Sequence, residues 1–219
     1  EKFISSVVQS INSVILLVIP ISVGAMVLAT PIVKLLFQRG EFDIRATSMT
    51  SIALIMYSIG MVAFGLRDIL GKVFYALQDT KTPMINGIIA MVMNIAFNMI
   101  LVKYLKLAGL ALATSISAII CIFLLFVSLK KKIGYFGQDK IIKTTIKSII
   151  SALVMGIVIY FVHDKISNLL GVGFIKEATS LVISVVIGII TYGISILILK
   201  VEEINDIISM VKIKLNKAV

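Results

Sequence analysis

Six long apolar stretches, separated by short polar segments, dominate the chain. None of them alternates polar and apolar residues as the strands of a membrane barrel do. Lipid offers no partner for unpaired backbone groups, and a helix needs roughly 20 apolar residues to cross the hydrocarbon core. The pattern therefore predicts an all-α integral membrane protein with six transmembrane helices. The predicted spans cover residues 14–33, 46–66, 84–102, 107–129, 148–162 and 178–199.

The first predicted span contains Pro20 and Pro31. Proline removes a backbone donor and clashes with the preceding turn, which predicts a kinked helix. Broken helices often line substrate paths in transporters, but proline is also commoner in membrane helices than in soluble ones. Both interpretations stay open for this span.

The fifth predicted span is the shortest. It extends back through Ile141 if Lys143 and Lys147 direct their ammonium groups towards the membrane surface. Short loops are predicted between the spans, except for two longer ones at 130–147 and 163–177.

The tail at 200–219 combines apolar residues at near-helical spacing, such as Ile204, Ile208 and Val211, with Lys212 and Lys214. This pattern predicts a short amphipathic helix lying on the cytoplasmic surface of the membrane. A frayed, solvated end fits the same residues equally well.

Composition supports the membrane assignment. Hydrophobic residues make up 59% and charged residues 15% of the 219 residues, against roughly 25% charged residues in average soluble domains. The net charge is +10, but the basic residues flank the apolar stretches, which indicates topology signals and contact with anionic lipid headgroups. Since no basic stretch has interleaved aromatic residues, nucleic acid is not a predicted partner.

The distribution of lysine and arginine predicts the orientation. With six spans, one membrane face receives both termini and the second and fourth loops, and it holds fourteen basic residues against seven on the other face. Basic residues are retained on the cytoplasmic side, so both ends of the chain are predicted to be cytoplasmic.

The sequence offers little for catalysis. It contains no HExxH, GxSxG, Walker-type or CxxC motif. Cys121 is the only cysteine and lies within an apolar stretch, while His163 is the only histidine and lies at the end of the fifth span, where a polar anchor is the usual role. We therefore predict a protein that is not an enzyme and has no metal site of histidine and cysteine.

The polar segment after the second span holds Arg67, Asp68 and Lys72. If the helix continues to about Leu77, Asp68 and Lys72 lie one turn apart on one face. Charges at this depth are expected to face a wet cavity or neighbouring helices rather than lipid. We predict that these three residues form the rim of a substrate cavity; a helix that has already emerged into water is the alternative.

A second polar group links the third and fourth spans. Asn94 and Asn98 lie one helical turn apart, and Thr114 accompanies a stripe of small residues on the fourth span. Small and polar residues in this pattern pack membrane helices together. The other interpretation is a site for a small hard cation, Na⁺, formed by oxygens of Asn94, Asn98 and Thr114 and a carbonyl near Leu110.

Three segments resemble the MurJ (MviN) family of lipid II flippases, in matching order and spacing across the whole chain. They are 31–42 at the end of the first span, 107–113 at the start of the fourth, and the run after the second span, which follows 57–60. That run carries the family signature residues Phe74, Tyr75, Gln78, Asp79, Thr80, Lys81, Thr82 and Pro83.

The resemblance implies a two-lobed transporter fold of the MOP superfamily with fourteen spans, of which this chain resembles the last six. It implies that residues 1–132 form spans of the second lobe and that 133–199 form a groove for a lipid tail. The implied activity moves the undecaprenyl-pyrophosphate-linked peptidoglycan precursor lipid II across the bacterial inner membrane by alternating access. The implied partners are this lipid and the N-terminal lobe.

Two departures from the family limit what the resemblance implies. Most of the essential cavity arginines of the family lie in the first lobe and in the span before this segment. Members that bind Na⁺ place an Asp where this chain has Asn98. The alternatives are a sibling exporter of another polyprenyl-linked sugar, of drugs or of cations, and a membrane scaffold without transport.

Overall fold

The computed structural model describes residues 2–171 and 173–201 and contains seven helices in that part of the chain. Six of them are long and apolar enough to cross a membrane, and the exception is the nine-residue α2. The predicted all-α fold with six membrane spans is therefore confirmed. The helices are α1 (Lys2–Val27), α2 (Ala29–Phe37), α3 (Ile44–Ala76), α4 (Lys81–Leu105), α5 (Leu107–Ile133), α6 (Gln138–Leu170) and α7 (Phe174–Ile198).

The helices are longer than the apolar stretches that predicted them. α3 and α6 each have 33 residues, and the helix that contains the fifth span reaches back past Ile141 to Gln138. The long loops predicted at 130–147 and 163–177 are wrong, because most of these residues continue α5, α6 or α7. Polar residues at helix ends can reach water without ending the helix, so hydropathy underestimates helix length.

The first predicted span is divided into two helices. α1 stays helical through Pro20, and the interruption lies at Leu28 instead. Pro31 explains the position, because it has no N–H for the carbonyl of Val27, four residues earlier, and its ring crowds that carbonyl. The predicted proline break therefore arises from Pro31, and it creates an elbow between α1 and α2.

Close packing of small residues joins α3 to α5. A Cβ atom added to Gly60 would lie 2.7 Å from the Cα atom of Ser115, so the two backbones approach as only glycine permits. The Ser115 hydroxyl, fully buried, donates a hydrogen bond of 2.6 Å to the carbonyl oxygen of Met56 on α3. α5 is thus the central helix of one half of the bundle and also packs against α4.

The remaining helices form a second layer on α1. α1 packs against α3 on one side and α6 on the other, and α7 packs chiefly against α6. α4 buries only Asn86 among its 25 residues, so most of its surface is open. The amphipathic helix predicted at 200–219 lies almost entirely outside the described residues, and it stays a prediction.

Candidate functional site

The predicted rim residues lie together beside a cavity. Because α3 continues to Ala76, Arg67, Asp68 and Lys72 are held on one rigid helix as it approaches the loop to α4. All three line a cavity of about 380 Å³. The other lining residues are Gly71, Tyr75, Pro83, Gly87, Cys121 and Leu125, from α3, α4 and α5.

The charges around this cavity are available to a ligand. Arg67 Nε lies 4.0 Å from Asp68 Oδ1, and the two side chains are 54% and 73% exposed. An ion pair this long and this exposed contributes little binding energy, so it does not hold the guanidinium in place. Two cations and one carboxylate therefore give the cavity a net positive charge that suits an anionic group.

The signature residues have separate structural roles. Phe74 is fully buried in the core, whereas Tyr75 is exposed and faces the cavity. Gln78 adopts a left-handed conformation with φ of 56°, which turns the chain from α3 towards α4. Thr80 and Lys81 are exposed at the start of α4, and Pro83 occupies its first turn, where a missing N–H costs nothing.

Asp79 closes the loop with its side chain. Its Oδ1 accepts a hydrogen bond of 3.0 Å from the Thr82 N–H, and its Oδ2 accepts one of 2.8 Å from the Thr82 hydroxyl. Lys132, at the end of α5, donates to Oδ2 at 2.6 Å. The Lys132 ammonium, followed by the Thr82 donors, holds the pKa of the Asp79 carboxyl well below its usual range. Sequence reasoning missed Lys132, which is one of three consecutive lysines.

We expect Asp79→Ala to destabilise the protein more than Asp79→Asn. Asparagine keeps an oxygen that caps α4 but loses the charge that pairs with Lys132, whereas alanine loses both. Since the folded pKa is depressed, the ionic stabilisation is complete above the ordinary pKa of 3.8 and is lost as the pH falls below it. Melting temperatures in detergent between pH 7 and pH 3 measure this loss, which Asp79→Asn should lack.

Lys132→Gln is the matched control, because it removes the same ion pair from the other side. If the effects of Asp79→Asn and Lys132→Gln simply add in the double variant, the two side chains do not stabilise each other.

The predicted amide cluster is also brought together. Asn98 Nδ2 donates to Asn94 Oδ1 at 2.9 Å, and Asn94 Nδ2 donates to Thr114 Oγ1 at 3.3 Å. Thr114 in turn donates to the carbonyl oxygen of Leu110 at 2.9 Å. The cluster forms a chain of hydrogen bonds between α4 and α5. One atom stands apart, since Asn98 Oδ1 is covered and has no partner in the described part of the chain.

An apolar groove of about 430 Å³ lies on the other side of the bundle. Its floor includes Met155 and Ile159 of α6, and one wall is α7. The opposite wall is α1, which sequence reasoning did not include. The presence of Pro20, Gly24 and Ala25, which have little or no flexible side chain, is the sequence feature that could have indicated a groove along α1. The groove residues are Leu16, Leu17, Pro20, Ile21, Gly24, Ala25, Leu28, Ile32, Met155, Ile159, Val185, Gly188, Ile189 and Tyr192.

His163 contacts a neighbouring helix through its imidazole ring. Its Nδ1 lies 3.2 Å from the Ser180 hydroxyl and 3.3 Å from the Ser184 hydroxyl, both buried on α7. In residues 2–171 and 173–201, no three or more His, Cys, Asp or Glu side chains form a group that could hold a metal ion.

Comparison with known proteins defines the family. The family model described as "Lipid II flippase MurJ" matches residues 1–181. The "Probable lipid II flippase MurJ" of Haemophilus influenzae is 33% identical over 193 residues, which are 88% of this chain and 38% of that protein. The protein of the same description from Vibrio cholerae is 34% identical over 207 residues, or 94% of this chain and 39% of that protein.

A solved structure shows the same fold. The structure described as "Lipid II flippase MurJ, inward closed conformation" superposes with a TM-score of 0.72 at 29% identity, covering 88% of this chain and 38% of that one. The apolar helices and these matches define a multi-pass membrane protein of a transporter family. The chain belongs to the lipid II flippase MurJ family, and it spans about two fifths of the length of the relatives that it matches.

Proposed function

We propose that this chain is the C-terminal part of a flippase that moves lipid II from the inner to the outer leaflet. The family match over residues 1–181 carries the proposal. The implied mechanism is alternating access, in which two lobes rock around a central cavity. The partners are then lipid II, anionic membrane lipids, and the N-terminal lobe found in the longer relatives.

Two surfaces of the bundle suit the two parts of such a cargo. The cavity beside Arg67 and Lys72 has a net positive charge, which matches a pyrophosphate. The apolar groove between α1, α6 and α7 suits a long prenyl tail. A tail that moves from the lipid bilayer into this groove stays in apolar surroundings throughout. The groove is the feature that supports lipid cargo over the cation-exporter alternative.

We propose that the protein lies in the bacterial inner membrane with both ends of this chain in the cytoplasm. The excess of basic residues on that face supports the orientation. It puts Arg67 and Lys72 near the cytoplasmic rim, where the cargo enters. A cysteine tag at either end of the chain that reacts with an impermeant reagent in intact cells would contradict this orientation.

Complementation tests the activity. The chain is joined to the N-terminal portion of a related flippase and expressed in cells depleted of their own flippase. We expect the chimera to restore growth, and we expect the 219-residue chain alone to insert without flipping lipid, because the first lobe supplies the other cavity wall. A chimera that accumulates normally and never supports growth would favour the scaffold alternative.

We further propose that the amide cluster is a latent Na⁺ site whose present role is to pack α4 against α5. Its oxygens come from Asn94, Asn98, Thr114 and Leu110, which is a suitable donor type for a hard cation. The cluster lacks a carboxylate, and most of its polar atoms already form hydrogen bonds with one another. The unpartnered Asn98 Oδ1 is the observation that favours an ion site.

We expect Asn98→Asp to bind Na⁺ measurably where the parent does not. The substitution adds a negative charge next to the neutral oxygens without changing the size of the side chain. Calorimetric titration with NaCl, using choline chloride as the reference salt, measures the binding. Thr114→Val in the same background is the control, since it removes one ligand oxygen and should abolish the heat. No Na⁺-specific heat in Asn98→Asp would leave packing as the only role.

A further inference from the structure

Polar contacts join the helices at one end of the apolar groove and again beyond its other end. At the end near the chain termini, the Tyr192 hydroxyl on α7 donates to the carbonyl oxygen of Leu16 on α1 at 2.8 Å. It also accepts from the Ser148 hydroxyl on α6 at 2.8 Å. Ser148 is completely buried, and Tyr192 packs among apolar residues of all three helices. This end of the groove is therefore closed by a buried network that water does not reach.

Beyond the other end of the groove, an ion pair joins α2 to α7, and its two residues line a separate small cavity rather than the groove itself. Lys34 Nζ on α2 lies 2.6 Å from Glu177 Oε1 on α7, and the two side chains are 43% and 23% exposed. It is the one ion pair within the described residues that joins α7 to another helix. A partly exposed pair contributes little to stability, so it breaks far more readily than the buried network.

The surroundings of the pair determine which helices separate when it breaks. His163 holds the same end of α7 against α6 through Ser180 and Ser184. α2 is offset from α1 by the elbow at Leu28, and it meets α7 along a short stretch. Charge reversal at the ion pair therefore acts on the contact between α2 and α7, whereas the packing of α7 on α6 does not depend on the pair. Ile32, two residues before Lys34 on α2, lines the apolar groove directly.

From this arrangement we infer that Lys34 and Glu177 form a latch on the side of the groove, which releases or admits a lipid chain between α2 and α7. The inference rests on the proposed lipid-tail groove and assigns its exit. A chain lying against Met155 and Ile159 would pass Ile32 and leave the groove towards the ion pair between α2 and α7. The Tyr192 network keeps the opposite end shut, so the groove opens at one end only.

Spin labels test the latch itself. Cysteines replace Leu36 on α2 and Ile175 on α7, both exposed, in a Cys121→Ala background of the 219-residue chain in lipid vesicles. We expect Lys34→Glu to lose the short-distance population, because two carboxylates then face each other. The exchanged pair, Lys34→Glu with Glu177→Lys, restores both charges and should restore the short distance.

Tryptophan quenching tests the effect on the groove. The chain has no tryptophan, so Ile189→Trp places a single fluorophore in the groove wall. Quenching by phosphatidylcholine with brominated chains should rise in Lys34→Glu and return to the parent level in the exchanged pair. Ile157→Trp, exposed on α6 outside the groove, is the control and should be quenched equally in all three proteins.

The possible outcomes distinguish a failure of the latch proposal from a failure of the lipid-tail groove proposal. Equal label distances and equal quenching of the groove fluorophore in all three proteins would overturn the latch and leave the groove as proposed. If brominated lipid never quenches the fluorophore introduced by Ile189→Trp, the lipid-tail groove is overturned, and the inference falls with it. Neither result depends on flipping, which the complementation experiment tests separately.

Discussion

Gly60→Val should prevent α3 and α5 from packing and sharply reduce the amount of folded protein in the membrane. Even the Cβ atom of alanine would lie 2.7 Å from the Ser115 Cα atom, a contact with backbone that no side-chain rotation can relieve. Overpacking of this kind typically costs about 1–3 kcal/mol, and valine adds two further methyl groups at the same place. Membrane accumulation and melting temperature in detergent measure the effect, with Gly60→Ala intermediate.

Gly71→Ala is the matched control for this prediction. It lies on the same helix, has nothing within 4 Å of an added Cβ atom, and should be neutral or slightly stabilising because alanine favours helix over glycine. If Gly60→Val and Gly71→Ala accumulate and melt alike, the close contact between α3 and α5 does not hold the bundle together.

Replacing both Arg67 and Lys72 by glutamine should abolish complementation by the chimera. Both cations line the cavity that we assign to the anionic part of the cargo, and a hydrogen bond to a charged group contributes about 1.5–3 kcal/mol. Each lost contact then weakens binding about tenfold or more. Growth of flippase-depleted cells measures the loss, and each single variant should retain part of the activity.

The control for this pair is Lys130→Gln. Lys130 is an exposed lysine at the end of α5, outside the lining of the cavity, and its substitution also removes one positive charge. If Lys130→Gln impairs growth as much as the double variant at equal protein levels, general charge near the membrane matters and the cavity does not.

The polar contacts of the structure divide into two kinds. Those of Tyr192 and Ser115 are buried within one rigid unit, and each satisfies a group that lipid would leave unpaired. Those of Asp79 with Lys132 and of Glu177 with Lys34 lie at the helix ends and join separate helices through partly exposed charges. The second kind can break without exposing an unpaired polar group to lipid.

The six membrane spans and the rim group were predictable from the amino-acid sequence alone. Hydropathy suffices for the spans because a helix that crosses lipid must be apolar over its whole width. The grouping of Arg67, Asp68 and Lys72 beside one cavity was predictable because they follow one another on a single helix, so their mutual position depends only on helical periodicity. Their role as a substrate rim stays a prediction. The amide cluster was predictable for the same reason, with one short turn joining α4 to α5.

Which distant segments meet was not predictable in this way and emerged from the packing of the helices. Lys132 with Asp79, Lys34 with Glu177, and Tyr192 with Leu16 are separated by 53, 143 and 176 residues. Periodicity places a residue on a face of its helix but does not say which helix covers that face, because every lipid-compatible face is equally apolar. The contribution of α1 to the groove and the ion pair beyond its end therefore depend on how the helices pack, and that packing is set by close contacts such as the one between Gly60 and Ser115.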